Sequence, residues 1–406
     1  IVMESKPTKV RKLKPFEVLC EIAQSETIDI LHLCIRKDDD EYWFYEMEEE
    51  RIELQVLKDE SPKEIFRKET HTSFNSSTGP LWRATFIPDN EAVKQVKQSN
   101  LFTSNLILTF NHAIVDGFTC FNICNSFLIV LNDVIGGKVQ KTYDFGKLND
   151  GLETEELKEQ RMEFLNKNPE YLKEIKEFQT KFDSQKVRFN EFFPALEGAK
   201  KETNYIHGEI DEQTTKKLLK VFKSKGITFH SGFSSVLNWV IMELFTENGM
   251  TDEEIDLPSE HAINMRRYWK KSSTPQLGAH AAAVKIVSKT DKNFGSNFWE
   301  YAKDFGRTLK NNIDSMQGID CNIQLTTSDF GESKVDFSKF LKNFPLPNVY
   351  YSSTNMGDLR SVLQGRGEYV SIKWITRGAS VHCTNYMVTF IHTYEGRFLY
   401  NIGYSA

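Results

Sequence analysis

The chain has 406 residues, is 39% apolar and carries a net charge of −6, which is enough apolar material for two ordinary domain cores. Both charge signs are interspersed with no basic stripe, so nucleic-acid binding is not expected. No run reaches the ~18 to 20 uncharged apolar residues that span a bilayer; FSSVLNWVIMELF at 233–245 comes nearest, and no transmembrane segment is expected.

The opening IVMESKPTKVRKLKPFE has no apolar run after its basic, polar start, unlike a secretory signal. Six cysteines (Cys20, Cys34, Cys120, Cys124, Cys321, Cys383) are widely spread and form no Cys-x-x-Cys pair. That usage suits a reducing, cytoplasmic setting better than a disulfide framework. The sequon Asn75-Ser76-Ser77 is of a length that recurs by chance and shifts this little.

In chain order, SNLILTFNH at 104–112 alternates as a half-buried strand does. From Gly117 the apolar residues Phe118, Phe121, Cys124, Leu128, Leu131 and Ile135 recur at helical spacing, and Gly136-Gly137 should close that helix. Residues 147–190 read as charged surface helix, with Asn168-Pro169 as cap and first helical residue. A linker is expected at 185–204, where FNEFFPALEGAKKETN loses periodicity, dividing the chain into a first half at 1–190 and a second at 205–406.

The second half should open with a helix over 215–225, stopped by Gly226, and another burying Phe233, Val236, Leu237, Val240, Ile241 and Leu244 on one face. MVTFIHTY and RFLYNIGY, joined by Glu395-Gly396, predict a terminal hairpin. The expected class is α/β (α+β), with mixed sheets flanked by helices.

FNHAIVDGF at 110–118 places His112 where the strand ends and the helix is about to begin. A neutral imidazole at such a strand end can serve as a base near neutral pH, although His-x-x-x-Asp-Gly is short and a packed core histidine fits it too. His112, Asp116, Cys120 and Cys124 fall four apart. On one helix they would spread over about 18 Å, too far for one zinc ion. The cysteines read as small apolar residues of a packed face, Trp82 and Trp374 as core, and no metal site is expected.

Other segments accompany this motif: Gly79-Pro80-Leu81-Trp82-Arg83 before the strand ATFI, Gly226-Ile227-Thr228 before an apolar helix, Ala262-Ile263-Asn264-Met265-Arg266-Arg267, and Ser353-Thr354-Asn355-Met356-Gly357. In this order the set resembles the thioester-dependent acyltransferase superfamily: condensation domains of nonribosomal peptide synthesis, alcohol acetyltransferases, polyketide-associated acyltransferases and plant BAHD enzymes. The resemblance runs from about Arg11 to the final strands. It implies two chloramphenicol-acetyltransferase-like halves with a channel between them.

By that resemblance His112 matches the catalytic histidine and Asp116 a structural aspartate that Arg266 reaches. Gly117 would let the backbone turn beneath the histidine. Asn355, Ser352 or Ser353 would supply an oxyanion donor, with ordinary turn roles as the plain alternative.

Departures sharpen the comparison. Condensation domains usually carry a second histidine where this chain has Asn111, which favours ester over amide formation. Neither Asp144-Phe145-Gly146 nor Asp329-Phe330-Gly331 continues into the Trp-Gly of plant BAHD enzymes, and the stretch from Phe16 to Leu31 is shorter than the family's first strand and helix.

The resemblance implies an acyltransferase with no permanently bound cofactor. Acyl-CoA, or a phosphopantetheine thioester on a carrier protein, would be the donor, and a small molecule the acceptor. A monomer is expected. The alternatives are an amide-forming condensation-type enzyme and a catalytically idle docking member of the same fold.

Overall fold

The computed structural model describes residues 9–12, 33–39, 41–48, 54–88, 103–113, 115–138, 146–194, 201–272, 275–328, 348–382 and 386–405. The first half contains β1 (Lys9–Lys12), β2 (Leu33–Asp38), β3 (Glu41–Glu46), β4 (Leu54–Val56), α1 (Pro62–Glu69), β5 (Trp82–Pro88) and β6 (Ser104–Phe110). It continues with α2 (Gly117–Ile135), β7 (Lys147–Leu148), α3 (Leu152–Lys167), α4 (Pro169–Asp183) and the single turn α5 (Phe189–Phe192). The second half contains β8 (Thr203–Ile210), α6 (Glu212–Ser224), α7 (Phe229–Glu247), β9 (Glu254–Asn264), β10 (Gln276–Leu277) and β11 (Ala281–Asp291). It ends with α8 (Phe298–Asp314), α9 (Gln317–Ser328), β12 (Tyr351–Asp358), β13 (Met387–Tyr394) and β14 (Arg397–Ser405).

The expected mixed α/β architecture holds. The second half is organised on a six-stranded sheet, ordered β11-β9-β12-β13-β14-β8, in which β12 runs parallel to both β9 and β13. Its final hairpin turns at Glu395 and Gly396, both left-handed (φ 49° and 78°), as a two-residue turn matched to strand twist requires. The first half has two smaller sheets, ordered β1-β3-β2 and β4-β5-β6.

The halves interlock. Strand β7 pairs in parallel with β10, so one short ladder draws a strand from each half. Helices α3 and α4 precede the expected linker yet pack on the second half: Leu157 and Leu165 share a core with Ile263, Val284 and Ile319. Arg161 of α3 also clamps Asp320 of α9 through Nε (2.9 Å) and Nη2 (2.7 Å). Of the expected linker, residues 189–192 form a helical turn on the aromatic core of Phe245 and Tyr350, and strand β8 has already begun at Thr203.

One expectation needs correction. Helix α7 buries Ser234, Ser235, Leu237, Asn238, Ile241, Met242 and Phe245, whereas Val236, Val240 and Leu244 are exposed. The buried face is turned because Asn238 hydrogen-bonds Tyr301 and Tyr351 (2.8 and 2.9 Å), so a polar network occupies part of the core. Among the described helices, α2 has the length and apolar composition to cross a membrane, a test that core helices also pass; Asn122, Asn125, Asn132 and Asp133 divide its apolar run.

Candidate active site

Strand β6 ends at Phe110, and the chain then makes a tight turn into α2. Asn111 and Ala113 are fully buried, and the Asn111 side-chain oxygen accepts a 2.8 Å hydrogen bond from the Ala113 N–H. Such a side-chain-to-backbone bond fixes a turn locally. With its two neighbours turned inward, His112 is exposed. Among the described residues nothing hydrogen-bonds its ring.

At the other end of the turn Asp116 caps α2. One carboxylate oxygen accepts from the Thr119 N–H (2.9 Å), and the other from Arg266 Nη1 (2.5 Å) and the His280 N–H (3.0 Å). Burial opposes ionisation of this carboxyl, but the Arg266 charge and the hydrogen bonds outweigh it and hold its pKa below the ordinary value.

The structure therefore brings Asp116 and Arg266 together, though not through two parallel hydrogen bonds. Only Nη1 reaches the carboxylate. Nε donates to the Gln276 carbonyl (2.6 Å), and Nη2 to the Gly278 carbonyl (2.9 Å) and the Thr119 hydroxyl (3.2 Å). Phe118 lies under the guanidinium at 4.7 Å. One arginine thus ties the start of α2 to the segment between β9 and β11.

Gly117 is needed for close approach. Its φ lies outside the left-handed region, but a Cβ there would sit 2.8 Å from Met356 Sδ and 3.0 Å from Arg377 Nη1. The first turn of α2 therefore abuts the end of β12. Arg377 is held on that strand by Nη2, which donates to the carbonyl and hydroxyl of Thr354 (2.7 and 2.9 Å).

The three oxyanion candidates lie on this strand but face different ways. Ser353 is buried and accepts from the Thr389 hydroxyl at 2.8 Å, and Asn355 accepts from the Gly357 N–H at 2.7 Å in a local turn. Ser352 hydrogen-bonds Glu260, whose pKa burial raises despite the nearby Lys285 and that bond. Alternation along the strand puts Ser352 and Thr354 on one face and Ser353 on the other. No hydrogen bond joins any of the three to His112 among the described residues.

Cys120 packs with Leu33, Phe44 and Val115, and Cys124 with Phe121 and Leu359. Burial raises both thiol pKa values, that of Cys124 to about 12. Trp374 is exposed, contrary to its reading as core. Cys20, Cys383 and the stretch from Phe16 to Leu31 lie outside the described residues.

Sequence reasoning did not single out Arg377, Thr119 or His392. Arg377 lies in Ile375-Thr376-Arg377-Gly378, which has neither periodicity nor motif. Its lone charge before a glycine was the only signal. His392 is buried on β13, with its ring edge-on to Phe121 at 5.7 Å.

No family model and no curated protein matches this sequence. Solved structures do match in fold. Polyketide synthase associated protein 5 from Mycobacterium tuberculosis aligns with a TM-score of 0.62 at 12% identity, over 98% of this chain and 94% of that one. The trichothecene 15-O-acetyltransferase of Fusarium sporotrichioides gives 0.59 at 13% identity, over 99% and 84%. The epimerization domain from the third module of tyrocidine synthetase B gives 0.57 at 12% identity, over 98% and 86%. The chain therefore has the two-subdomain α/β fold of condensation domains and chloramphenicol-acetyltransferase-like enzymes.

Proposed function

We propose that the protein is an acyltransferase that moves an acyl group from a thioester, acyl-CoA in the first instance, to a hydroxyl of a small acceptor. The observation carrying this reading is the exposed imidazole of His112, held outward between two buried residues and four positions before the Asp116–Arg266 joint of the halves. Likeness in fold to an acetyltransferase supports the reaction class.

Alcohols attack thioesters slowly near pH 7 because the neutral oxygen is a weak nucleophile. In this mechanism His112 takes the acceptor's proton as its oxygen bonds to the thioester carbonyl carbon. The resulting tetrahedral oxyanion collapses, the C–S bond breaks, and His112 returns the proton to the departing thiolate. Such proton transfer contributes about 10²- to 10⁴-fold. No acyl-enzyme is required, and the cysteines take no part.

Likeness to a condensation domain of a polyketide synthase supports a second reading, in which an amine attacks a thioester carried by an acyl carrier protein. Asn111, placed where a second histidine would stand, weighs for the ester reading by shaping the turn. Mass spectrometry of the protein incubated with a panel of acyl-CoAs and small alcohols and amines separates the two. Ester products that vanish in His112→Ala are expected. Amide products formed only from carrier-bound donors would replace the first reading with the second, and no product from either donor class would favour an idle docking role.

A further inference from the structure

We infer that Arg377 binds an anionic oxygen of the substrate, and specifically a carboxylate of the acceptor, so that the acceptors are hydroxy or amino acids and not neutral alcohols. The inference rests on the acyl-transfer reading for its reaction but on separate observations for its site.

Arg377 stands between the halves of the molecule. Nη2 is committed to Thr354 on β12, Nη1 faces Gly117 at the start of α2, and Phe390 and Phe121 lie 5.4 and 5.9 Å from the guanidinium carbon. Its Nε is buried without a hydrogen-bond partner, and among the described residues nothing accepts from Nη1. Among the described residues no carboxylate pairs with it. Asp116 is an acidic neighbour that it senses electrostatically, yet both oxygens of Asp116 are already occupied by Thr119, Arg266 and His280.

This arrangement is unusual, because a guanidinium withdrawn from water is costly unless an anion accompanies it. Burial lowers its pKa to about 10, so it remains charged near neutral pH. The other arginines withdrawn from solvent in this fold have partners: Arg83 has Glu69, Arg161 has Asp320 and Arg266 has Asp116. Arg377 is half-buried as a residue, with its Nε fully withdrawn from solvent and, among the described residues, no anion beside it.

Position selects the anion. Nη1 points at Gly117, five residues from His112 in the same turn and helix start. The phosphates of a pantetheine thioester lie a whole pantetheine arm from the reacting sulfur, so they do not belong this close to the base. A tetrahedral oxyanion would pair the cation only for the lifetime of the intermediate. A carboxylate on the acceptor removes that imbalance on binding and orients the attacking group through a charge-assisted hydrogen bond.

The test uses the full chain and pairs of probes: lactate, 3-hydroxybutyrate, 4-hydroxybutyrate and salicylate, each against its own amide. Binding is followed by the nitrogen-15 signals of the arginine side chains, and turnover with acetyl-CoA is measured in parallel. At least one acid is expected to bind at least tenfold more tightly than its amide. Arg377→Gln should bring each acid and its amide to equal affinity and raise KM for the acid by at least tenfold, and Arg377→Lys should restore part of the preference. Gly117→Ala leaves the guanidinium in the sequence but crowds Nη1 and Met356 with a methyl, and should weaken acid binding even if Arg377→Gln fails to fold. Equal binding of every acid and its amide would overturn the inference. So would an Arg377→Gln loss of kcat shared by acids and amides, which would assign the guanidinium to the oxyanion or to the fold. Arg377-dependent acid binding without acyl transfer from any thioester would instead reject the enzymatic reading and leave the anion site standing.

Discussion

The turn from Asn111 to Asp116 has two ends built on opposite terms. At Asp116 the ionic cluster is saturated: both carboxylate oxygens, the Thr119 hydroxyl and all three nitrogens of Arg266 are hydrogen-bonded. At the other end the His112 ring is exposed and open, and beside the ionic cluster, against Gly117, Arg377 keeps a buried Nε unpartnered. A saturated buried network fixes geometry, whereas open polar groups beside it are available to bind and react. Proximity to the motif thus does not by itself mark a residue as chemical. Saturation separates the joint from the site.

The largest expected effect lies at the saturated end. Removing one partner of a buried pair leaves an uncompensated charge, at about 3 to 5 kcal/mol. Asp116→Ala and Arg266→Ala should each lower stability by that order, and the double variant should fall well short of their sum. Denaturant unfolding of all four proteins measures this. Additive losses would mean that the contact carries little energy.

Acid should weaken the fold through its buried histidines. His230 and His261 share a 2.9 Å hydrogen bond, and burial holds the pKa of His230 at about 4 and that of His261 well below its ordinary 6.5. His392 is held at about 4 by burial, reinforced by Arg377. These folded-state values lie below the unfolded one, so the neutral forms belong to the folded protein. Their stability is fully present above pH 6.5 and is lost as the pH falls towards 4. Each adds a slope of up to about 1.4 kcal/mol per pH unit. Melting curves from pH 7 to pH 4 should therefore fall steeply, and His230→Asn should flatten the dependence. An unchanged slope in that variant would show that His230 titrates alike in both states.

Asn111→Ala should cost about 1 to 3 kcal/mol, since the buried Ala113 N–H would lose its acceptor, and it should also lower turnover by loosening the turn that presents His112. Asn111→Asp, which keeps an acceptor, should recover more of the stability. If Asn111→Ala melts like wild type, water has replaced the side chain and the turn is held elsewhere. Smallest of all is the effect of Cys120→Ser with Cys124→Ser, which should leave turnover and zinc content unchanged by activity assay and elemental analysis. Stoichiometric zinc lost in that variant would contradict the reading of the two thiols as packed apolar residues.

The two ends also differed in how far sequence could reach them. Helix α2, its stop at Gly136-Gly137, the Asn168-Pro169 junction and the Glu395-Gly396 turn were legible, because glycine, proline and periodicity act locally. The likeness in order and spacing also anticipated that Arg266 would reach Asp116 across 150 positions. What stayed hidden depends on burial. The face of α7 was misplaced because Asn238 and Ser234 are buried in the core while Val236 and Val240 are not. Arg377 was missed because nothing near it in sequence tells that Thr354 and Gly117 will enclose it. Ser353 and Asn355 looked available because their partners, Thr389 and the Gly357 N–H, become fixed only once the strand and its turn form.

The measurement bearing most directly on the central claim is turnover and melting temperature of His112→Ala beside wild type, with the acyl-CoA and acceptor that give most product. An exposed base outside the packed core should leave the melting temperature unchanged when removed, while turnover falls by at least about 100-fold. A variant that keeps more than about a tenth of wild-type turnover, or that loses activity only because it unfolds, would contradict the assignment of His112 as the base.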